Sequence, residues 1–334
     1  MRRILVRTLL SLGFVGLLLA WRLTTPNFRF VKTQRTLMGT LWTIDVIDHG
    51  HPEAAQQATD AAYAELERID RLMSEWKPQS PISQVNAAAG KTAVAVPAEL
   101  RELLERSVRY SRATEGTFDV TWRGMGAIWR FDDKFRVPSQ KEVEIARQRI
   151  DFRKIEIQGD RIFIPAGTNI GLGGIAKGYA IDRAMQVLLQ KGFTDALVDG
   201  GGDVLVHGAN LGEPWRLGIQ HPRKERGELL GTIALSDMAL VTSGDYERFR
   251  FVNGVRYHHI IDPRTGWPAT ASMSVTVLAP SAELGVVLAK GIFILGGEKG
   301  MQLAKSWHVE ALVIDSQGQM RQTPGFPHCC GAGY

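Results

Sequence analysis

The sequence predicts an α+β fold: one large domain of mixed or antiparallel sheets with packed helices, preceded by an N-terminal apolar helix. Runs typical of short strands follow one another between the helical runs instead of alternating strictly with them, which is the order of elements in α+β domains. Neither an internal repeat nor a linker divides the 334 residues. Hydrophobic residues make up 44% of the chain and charged residues 22%, which excludes a disordered protein.

Residues 1–25 predict a signal peptide or an uncleaved signal anchor. A positively charged start, MRRILVR, precedes the apolar run LLSLGFVGLLLAW, and only the longer stretch 4–23 reaches the roughly 20 residues that span a membrane. Leu18 fits poorly at the small-residue position before a cleavage after Ala20, which favours the anchor. We therefore expect an exported chain on the periplasmic face of the inner membrane. A buried N-terminal helix is the remaining alternative.

The formal net charge of +5 is concentrated at the N-terminus, where the first 32 residues hold six basic residues and no acidic one. The remainder is close to neutral, so the charge does not indicate nucleic-acid binding. The only cysteines are Cys329 and Cys330, so the stability of the domain does not depend on disulfides. They lie in a predicted loose tail, residues 319–334, for which metal binding or pairing with another chain is the alternative.

A polar connector is predicted over residues 26–35 and the domain over residues 36–318. Its first strand is predicted from the alternating run 36–47. Helices are predicted over 52–76, from Pro97 to a stop at Gly116, around 139–149, and over 178–192 with Gly192 as the stop. Strands are predicted as a hairpin of 154–159 with 161–167 and within 194–208, 214–222, 230–244 and 249–261, before a last α/β stretch over 273–314.

The stretch GLGGIAKGYAID, residues 171–182, matches a dinucleotide-binding fingerprint through Gly171, Gly173 and Ala176, with Asp199 as the acidic residue further on. The preceding PAGTNI is not the buried strand that a Rossmann fold requires, which weakens that interpretation. Glycines followed by a helix also allow close approach of a phosphate to free N–H groups, and Lys177 adds a cation. A tight turn with a surface lysine is the alternative without a ligand.

Four patches resemble one family, the flavin transferases of the ApbE type (FAD:protein FMN transferases). The patches are LMGT at 37–40, LMSEWKPQSPISQVN at 72–86 with GTFDVT at 116–121, IGLGGIAKGYAIDRA at 170–184 with the DGGGD turn behind it, and LVTSGDYERFRFVNGVRYHHIIDPRTGWPA at 240–269. The resemblance covers roughly residues 36 to 315. It implies transfer of FMN from FAD to a threonine of another protein, with release of AMP; some relatives hydrolyse FAD instead.

The resemblance also implies site residues. The implied catalytic residues are His259, Lys177 and Arg248, and His259 is preferred over His258 because relatives vary at the latter position. The implied contacts with FAD are Met38, Trp76, Thr117, Phe118, Asp119, Gly173, Gly174, Lys177, Ser243, Tyr246, His259 and Asp262. Core packing of Trp76 and Phe118, a turn role for His259 and an ion pair for Arg248 are the alternatives.

Relatives hold Mg²⁺ with an Asp-x-x-x-Thr pair on the last large helix and a carbonyl of the glycine loop, here near Gly174. Val286 and Lys290 stand at the pair, and Gly171 stands where relatives carry an aspartate. Neither valine nor lysine offers the oxygen ligands that Mg²⁺ needs, so Mg²⁺ is not expected to bind as in relatives. Two interpretations remain: the Lys290 ammonium takes the place of the metal, or the chain is a non-catalytic flavin- or partner-binding homologue.

The acceptor is predicted to be a separate protein. Acceptor sites of the family resemble Asp-Gly-x-Thr-Ser/Gly-Ala-Thr, and the nearest stretch here, TGWPATAS, does not fit. The resemblance implies a partner such as a subunit of a membrane electron-transfer complex, reached from the inner membrane through the N-terminal helix.

Overall fold

The computed structural model describes residues 29–329. The predicted anchor and Cys330 lie outside the described residues, so the expectation for them stays a prediction. Within residues 29–329, none of the helices is both long and apolar enough to cross a membrane.

The described strands form one large sheet and three small ones. In chain order they are β1 (Phe30–Leu37), β2 (Thr40–Ile47), β3 (Val94–Ala95), β4 (Glu156–Gln158), β5 (Arg161–Phe163), β6 (Ala196–Gly200), β7 (Asp203–His207), β8 (Trp215–Gln220), β9 (Leu229–Leu235), β10 (Met238–Gly244), β11 (Phe249–Val252), β12 (Val255–His258), β13 (Ser272–Ala279), β14 (Glu310–Asp315) and β15 (Met320–Gln322). The large sheet has the order β1-β2-β6-β7-β10-β13-β14-β15.

Eight α-helices occur in the described part of the chain: α1 (Pro52–Met73), α2 (Pro81–Ala87), α3 (Ala98–Ala113), α4 (Arg123–Gly126), α5 (Gln140–Arg147), α6 (Ala176–Gln190), α7 (Ala282–Leu295) and α8 (Gly297–Ser306). The predicted α+β fold is confirmed, and the four predicted helices correspond to α1, α3, α5 and α6. Sequence periodicity did not predict α2, a seven-residue helix that the Ser80 side chain caps by accepting from Ser83 N–H.

Every pairing between the named strands of the described chain is antiparallel. A Rossmann domain needs parallel βαβ units, so the dinucleotide-fingerprint interpretation of Gly171, Gly173 and Ala176 is wrong. Asp199, the acidic residue of that interpretation, instead accepts a hydrogen bond of 2.7 Å from Gly202 N–H in the β6–β7 turn.

The large sheet is covered on both faces, because alternate residues of each strand point to opposite sides. On β10, Ala239 and Val241 join the main core that α1, α6 and α7 build on one face. Leu240 points to the other face, where the β8–β9 hairpin forms a second core with Trp215. The glycine loop, residues 171–177, lies on the helical side of the sheet, at the N-terminus of α6.

Three boundaries differ from the sequence prediction. The single strand predicted over 36–47 is a hairpin whose two-residue turn, Met38 and Gly39, has φ of 49° and 75°, as a type I′ turn requires. Residues 30–35 of the predicted connector belong to β1. The predicted loose tail adds β15 to the sheet and buries Phe326 to 2% exposure in the second core, against which Cys329 packs.

Helices α6 and α7 are joined at close range. The Asp182 carboxylate on α6 accepts from the N–H groups of Ala282 (2.7 Å) and Glu283 (2.8 Å), which satisfies two free donors at the start of α7. Gly178 lets the helices approach, because a Cβ there would lie 2.4 Å from Ala282 O and 2.7 Å from Val286 Cγ2. The glycine loop and α7 are therefore held in one fixed arrangement.

We expect Gly178→Ala to lower the free energy of unfolding by about 1–3 kcal/mol, because the added methyl group meets backbone at the α6–α7 contact. Gly173→Ala is the matched control, since no atom of the described structure lies within 4 Å of its added Cβ. Urea unfolding of both variants measures the difference. Equal effects of the two substitutions would contradict the close contact.

Candidate functional site

Two hairpin turns meet beside the glycine loop, which we define as residues 171–177. Gly201, in the β6–β7 turn, donates its N–H to Leu41 O at 3.0 Å and has a φ of 66°. A side chain at Gly201 would come within 2.2 Å of Thr40 Oγ1, so only glycine fits against the β1–β2 turn. This contact brings Met38 and the DGGGD turn to the same end of the sheet.

Asp203 connects these turns to the glycine loop. Its carboxylate is 5% exposed, and Oδ2 lies 2.6 Å from Lys177 Nζ. Oδ1 accepts a hydrogen bond of 3.3 Å from Thr242 N–H on β10. Asp203 therefore joins the third and the fourth of the patches that carry the family resemblance.

Lys290 lies at the same place, on α7. Its Nζ donates to Val286 O at 3.1 Å, and its Cδ lies 4.0 Å from the position that a Cβ on Gly174 would take. Burial lowers the pKa of the Lys290 ammonium to about 8; the Asp203 charge opposes this shift and the Lys177 charge adds to it. We call Lys177, Asp203 and Lys290 the lysine cluster.

The loop rests on Phe118, which is 4% exposed and belongs to the main core, as the core-packing alternative predicted. Its Cε2 would be 3.1 Å from a Cβ on Gly174, so the glycine lets the backbone lie close to the ring. Thr117 Oγ1 donates to Thr114 O at 2.8 Å. This threonine, predicted to contact FAD, thus stabilises the turn that follows α3.

The Asp119 side chain likewise stabilises the loop in which it lies, through local hydrogen bonds. Its carboxylate is 5% exposed, and burial raises its pKa. It accepts hydrogen bonds from Thr121 N–H and Oγ1 and from Phe152 N–H, at 2.8, 2.7 and 3.1 Å.

A carboxylate that sequence patterns did not predict lies on the other side of the loop. Glu75 Oε2 accepts from Leu172 N–H at 2.7 Å, and Oε1 pairs with Arg123 Nη1 at 2.8 Å. The Arg123 guanidinium lies 4.6 Å from the ring centre of Trp76, which is 80% exposed, so the core-packing alternative for Trp76 is wrong. A Cβ on Gly171 would lie 3.4 Å from Glu75 Oε1. In the sequence, the one indication of a role for Glu75 is its position next to Trp76 in the patch at residues 72–86.

The two histidines after β12 have different environments. His258 Nε2 lies 2.7 Å from Ala269 O, and Nδ1 accepts from Ile260 N–H at 3.3 Å, so both of its ring nitrogens are occupied by backbone. His259 Nδ1 is buried and has no hydrogen-bond partner within residues 29–329. The predicted preference for His259 agrees with this difference, since a proton acceptor needs an open nitrogen.

Burial lowers the pKa of His259 to about 3, and the charges of His258, Lys290 and Arg248 act in the same direction. The imidazole is therefore neutral at physiological pH. Its backbone N–H donates to Arg248 O at 3.0 Å, which fixes the backbone of His259 next to that of Arg248, whose side chain is exposed.

The other predicted contacts line β10 and the turn after β12. Ser243 is buried at 7% exposure, and Tyr246 covers Gly244, with Cε1 2.3 Å from the position of an added Cβ. Burial raises the pKa of Tyr246 to about 12, so its hydroxyl stays protonated. Both carboxylate oxygens of Asp262 are occupied by Arg264, which places this residue in the DPRTG turn and not in the lysine cluster.

The lysine cluster does not fit a divalent cation. Within the described chain, no three His, Cys, Asp or Glu side chains are grouped so that they could hold a metal ion. Asp203 is already paired with Lys177, and Glu283 binds Arg106 at 2.7 and 2.9 Å, so it is not a displaced ligand. Two ammonium groups beside one carboxylate favour an anion instead.

A separate cleft of about 580 Å³ lies between the loop of Asp119 and the DPRTG turn. Its lining includes Arg112, Arg147, Asp151 and Pro263 but no residue of the glycine loop. Its arginines are accompanied by carboxylates, and the chemistry of the predicted site residues points to the glycine loop instead.

Comparisons with known proteins find one family over most of the chain. The model of the ApbE family matches residues 38–313. The FAD:protein FMN transferase of Treponema pallidum is 31% identical over 309 residues, covering 86% of this chain and 85% of the relative. That of Vibrio cholerae is 32% identical over 286 residues, covering 83% and 85%.

Solved structures are similar over most of the chain. The ApbE protein of Thermotoga maritima has a TM-score of 0.82 and 30% identity, over 89% of this chain and 97% of that one. The flavinyl transferase ApbE of Pseudomonas stutzeri, in its apo form, has a TM-score of 0.81 and 28% identity, over 92% and 98%.

We expect Glu75→Ala to lower the free energy of unfolding by about 1–3 kcal/mol, because Leu172 N–H loses its acceptor and the Arg123 guanidinium loses its carboxylate partner. Hydrogen exchange at the Leu172 amide should accelerate more than at the amides of α6. Replacement of the exposed Glu144 by alanine is the control. An unchanged exchange rate at Leu172 would show that Glu75 does not hold the glycine loop.

Stability should depend on pH through His259. The unfolded imidazole takes up a proton below about pH 6.5, whereas the folded one stays neutral down to about pH 3. Stability is therefore lost as pH falls through this window, and His259→Asn should reduce the loss between pH 7 and pH 5 by about 2 kcal/mol. Urea unfolding at both pH values tests this, with the exposed His328→Asn as control. An identical loss in wild type and His259→Asn would contradict a buried neutral imidazole.

Proposed function

The chain belongs to the ApbE family, and from this membership we propose that it transfers FMN from FAD to a threonine side chain of an exported partner protein, releasing AMP. Relatives named FAD:protein FMN transferase support flavin transfer in general. The observation that carries the proposal is the glycine loop with its lysine cluster next to the open Nδ1 of His259.

FAD is proposed to bind with its diphosphate over the glycine loop. The N-terminus of α6 supplies free N–H groups and the positive end of its dipole. Lys177 and Lys290 add two cations against the single carboxylate of Asp203. Trp76 is exposed, and the Arg123 guanidinium lies over one face of its ring. The ring offers a flat surface on which another aromatic ring can stack.

The proposed chemistry forms one phosphorus–oxygen bond and breaks another. The threonine oxygen attacks the FMN phosphorus, the bond to the bridging oxygen breaks, and AMP leaves with the bond's electron pair. His259 Nδ1 takes the hydroxyl proton, which a neutral imidazole with an open nitrogen can accept. The lysine ammonium groups stabilise the charge on the phosphoryl oxygens during the transfer.

Binding of the diphosphate is expected to make His259 more basic. Besides burial, the nearby positive charges of Lys290 and Arg248 hold the pKa of its imidazole low. Negative charge at the lysine cluster opposes that effect, so His259 becomes a stronger base when the substrate is bound. The group is thus a better proton acceptor in the complex than in the free protein.

The acceptor is proposed to be a separate protein with a threonine motif of the family type, such as a subunit of a membrane electron-transfer complex. The proposed location is the periplasmic face of the inner membrane, through residues 1–25. The rival function is a non-catalytic flavin-binding homologue, which the departures at Val286 and Lys290 favour.

Incubation with FAD and a peptide carrying the sequence Asp-Gly-x-Thr-Ser-Ala-Thr should yield an FMN adduct on the threonine and an equal amount of AMP. Mass spectrometry and nucleotide chromatography measure the two products. His259→Asn should lower the rate about 10²- to 10⁴-fold without loss of FAD binding, as expected for removal of a general base. The exposed His308→Asn is the control.

Three other outcomes would each contradict part of the proposal. FAD binding without adduct or AMP would support the non-catalytic homologue. Release of AMP without an adduct, with or without the peptide, would indicate an FAD hydrolase. Full activity of His259→Asn would exclude this histidine as the base.

A further inference from the structure

We propose that the Lys290 ammonium, together with Lys177, binds the diphosphate of FAD at the position where the family resemblance places Mg²⁺, so that flavin binding in this chain needs no metal. The proposal rests on the proposed function for the identity of the ligand. It concerns residues of this chain that differ from the family pattern, Val286 and Lys290.

The first support is the direction of the two side chains. Val286 and Lys290 lie four residues apart on α7 and so share one face of the helix. Val286 Cγ2 faces Gly178 at the α6–α7 contact, and the Lys290 stem faces Gly174. Of the two positions of the expected metal pair, Val286 therefore packs on the first turn of α6, and Lys290, which carries an ammonium, faces the glycine loop.

The second support is the hydrogen-bonding capacity of Lys290. Within residues 29–329, its Nζ makes one hydrogen bond, to Val286 O at 3.1 Å. An ammonium has three donors, so two remain for oxygen atoms of a ligand. A phosphate oxygen beside the Gly174 backbone would be an acceptor of the right charge.

The third support is the balance of charge. Asp203 pairs with Lys177 through Oδ2 and accepts from Thr242 N–H through Oδ1, so its single negative charge is shared between Lys177 and Lys290. His259 adds no charge, because its imidazole is neutral, and Arg248 adds another positive charge. A cation would enter this environment against repulsion, whereas a diphosphate supplies the missing negative charge.

The test measures FAD affinity of the full-length protein by flavin fluorescence, in EDTA and in Mg²⁺. Wild type should bind FAD equally in both. Lys290→Met, which keeps most of the side-chain volume, should bind about 10- to 100-fold more weakly in both, as expected for loss of a charge-assisted hydrogen bond. The exposed Lys299→Met on α8 is the matched control and should bind as wild type does.

A second variant tests the same idea in the opposite direction. Val286→Asp combined with Lys290→Thr restores the metal pair of the resemblance, so its FAD binding should be weak in EDTA and should recover in Mg²⁺. Thermal unfolding of each variant verifies that it folds. Stronger FAD binding by wild type in Mg²⁺ than in EDTA, or unchanged binding by Lys290→Met, would overturn the proposal.

The outcomes separate this inference from the proposed function. Lysine-dependent, metal-independent binding of FAD without transfer to a peptide would support the inference and contradict the transferase. Transfer that needs Mg²⁺ would support the transferase and overturn the inference. A wild-type protein that binds no FAD in either condition would overturn both.

Discussion

The ion pair between Lys177 and the buried Asp203 is the interaction on which the site depends. Asp203 is 5% exposed, and a carboxylate so placed is costly unless charge and hydrogen bonds compensate it. Lys177, in the N-terminal turn of α6, supplies the charge, with its Nζ 2.6 Å from Asp203 Oδ2. Thr242 N–H on β10 supplies the hydrogen bond. Because the three groups come from distant parts of the chain, the pair can form only when the sheet, the glycine loop and the β6–β7 turn are all in place.

Glycines make this arrangement possible by their lack of a side chain. Gly201 lets two hairpin turns touch, Gly174 lets the loop lie on Phe118, and Gly178 lets α6 approach α7. The last contact determines where Lys290 lies, since α7 is fixed through the two N–H groups that Asp182 accepts. The motif GLGGIAKGYAID therefore has two functions in the fold: its glycines form the loop, and its aspartate holds the helix that faces the loop.

Helices with a clear apolar stripe and the residues of the family patches could be predicted from the sequence, because both are local patterns. Strand β1 could not be predicted, because it is an edge strand and most of its side chains are exposed. Its polar residues, such as Lys32, Gln34 and Arg35, hide the apolar alternation that indicates a strand. Glu75 and Leu172 are 97 positions apart, and only tertiary contact reveals their hydrogen bond. The roles of Thr117 and Asp119 were likewise hidden, because a polar side chain that shapes its own loop looks the same in sequence as one that binds a ligand.

The two departures from the family pattern differ in their physical consequences. At Gly171 a carboxylate is missing, and a side chain there would crowd Arg123, because an added Cβ would lie 2.9 Å from Arg123 Cβ. At Val286 and Lys290 the sign of the charge is reversed, because a lysine stands where an oxygen ligand is expected. The first change removes a negative charge and leaves room for the Arg123 side chain beside the loop. The second changes what the site attracts, since an ammonium that faces the loop favours the phosphate itself and disfavours a metal that would bridge to it.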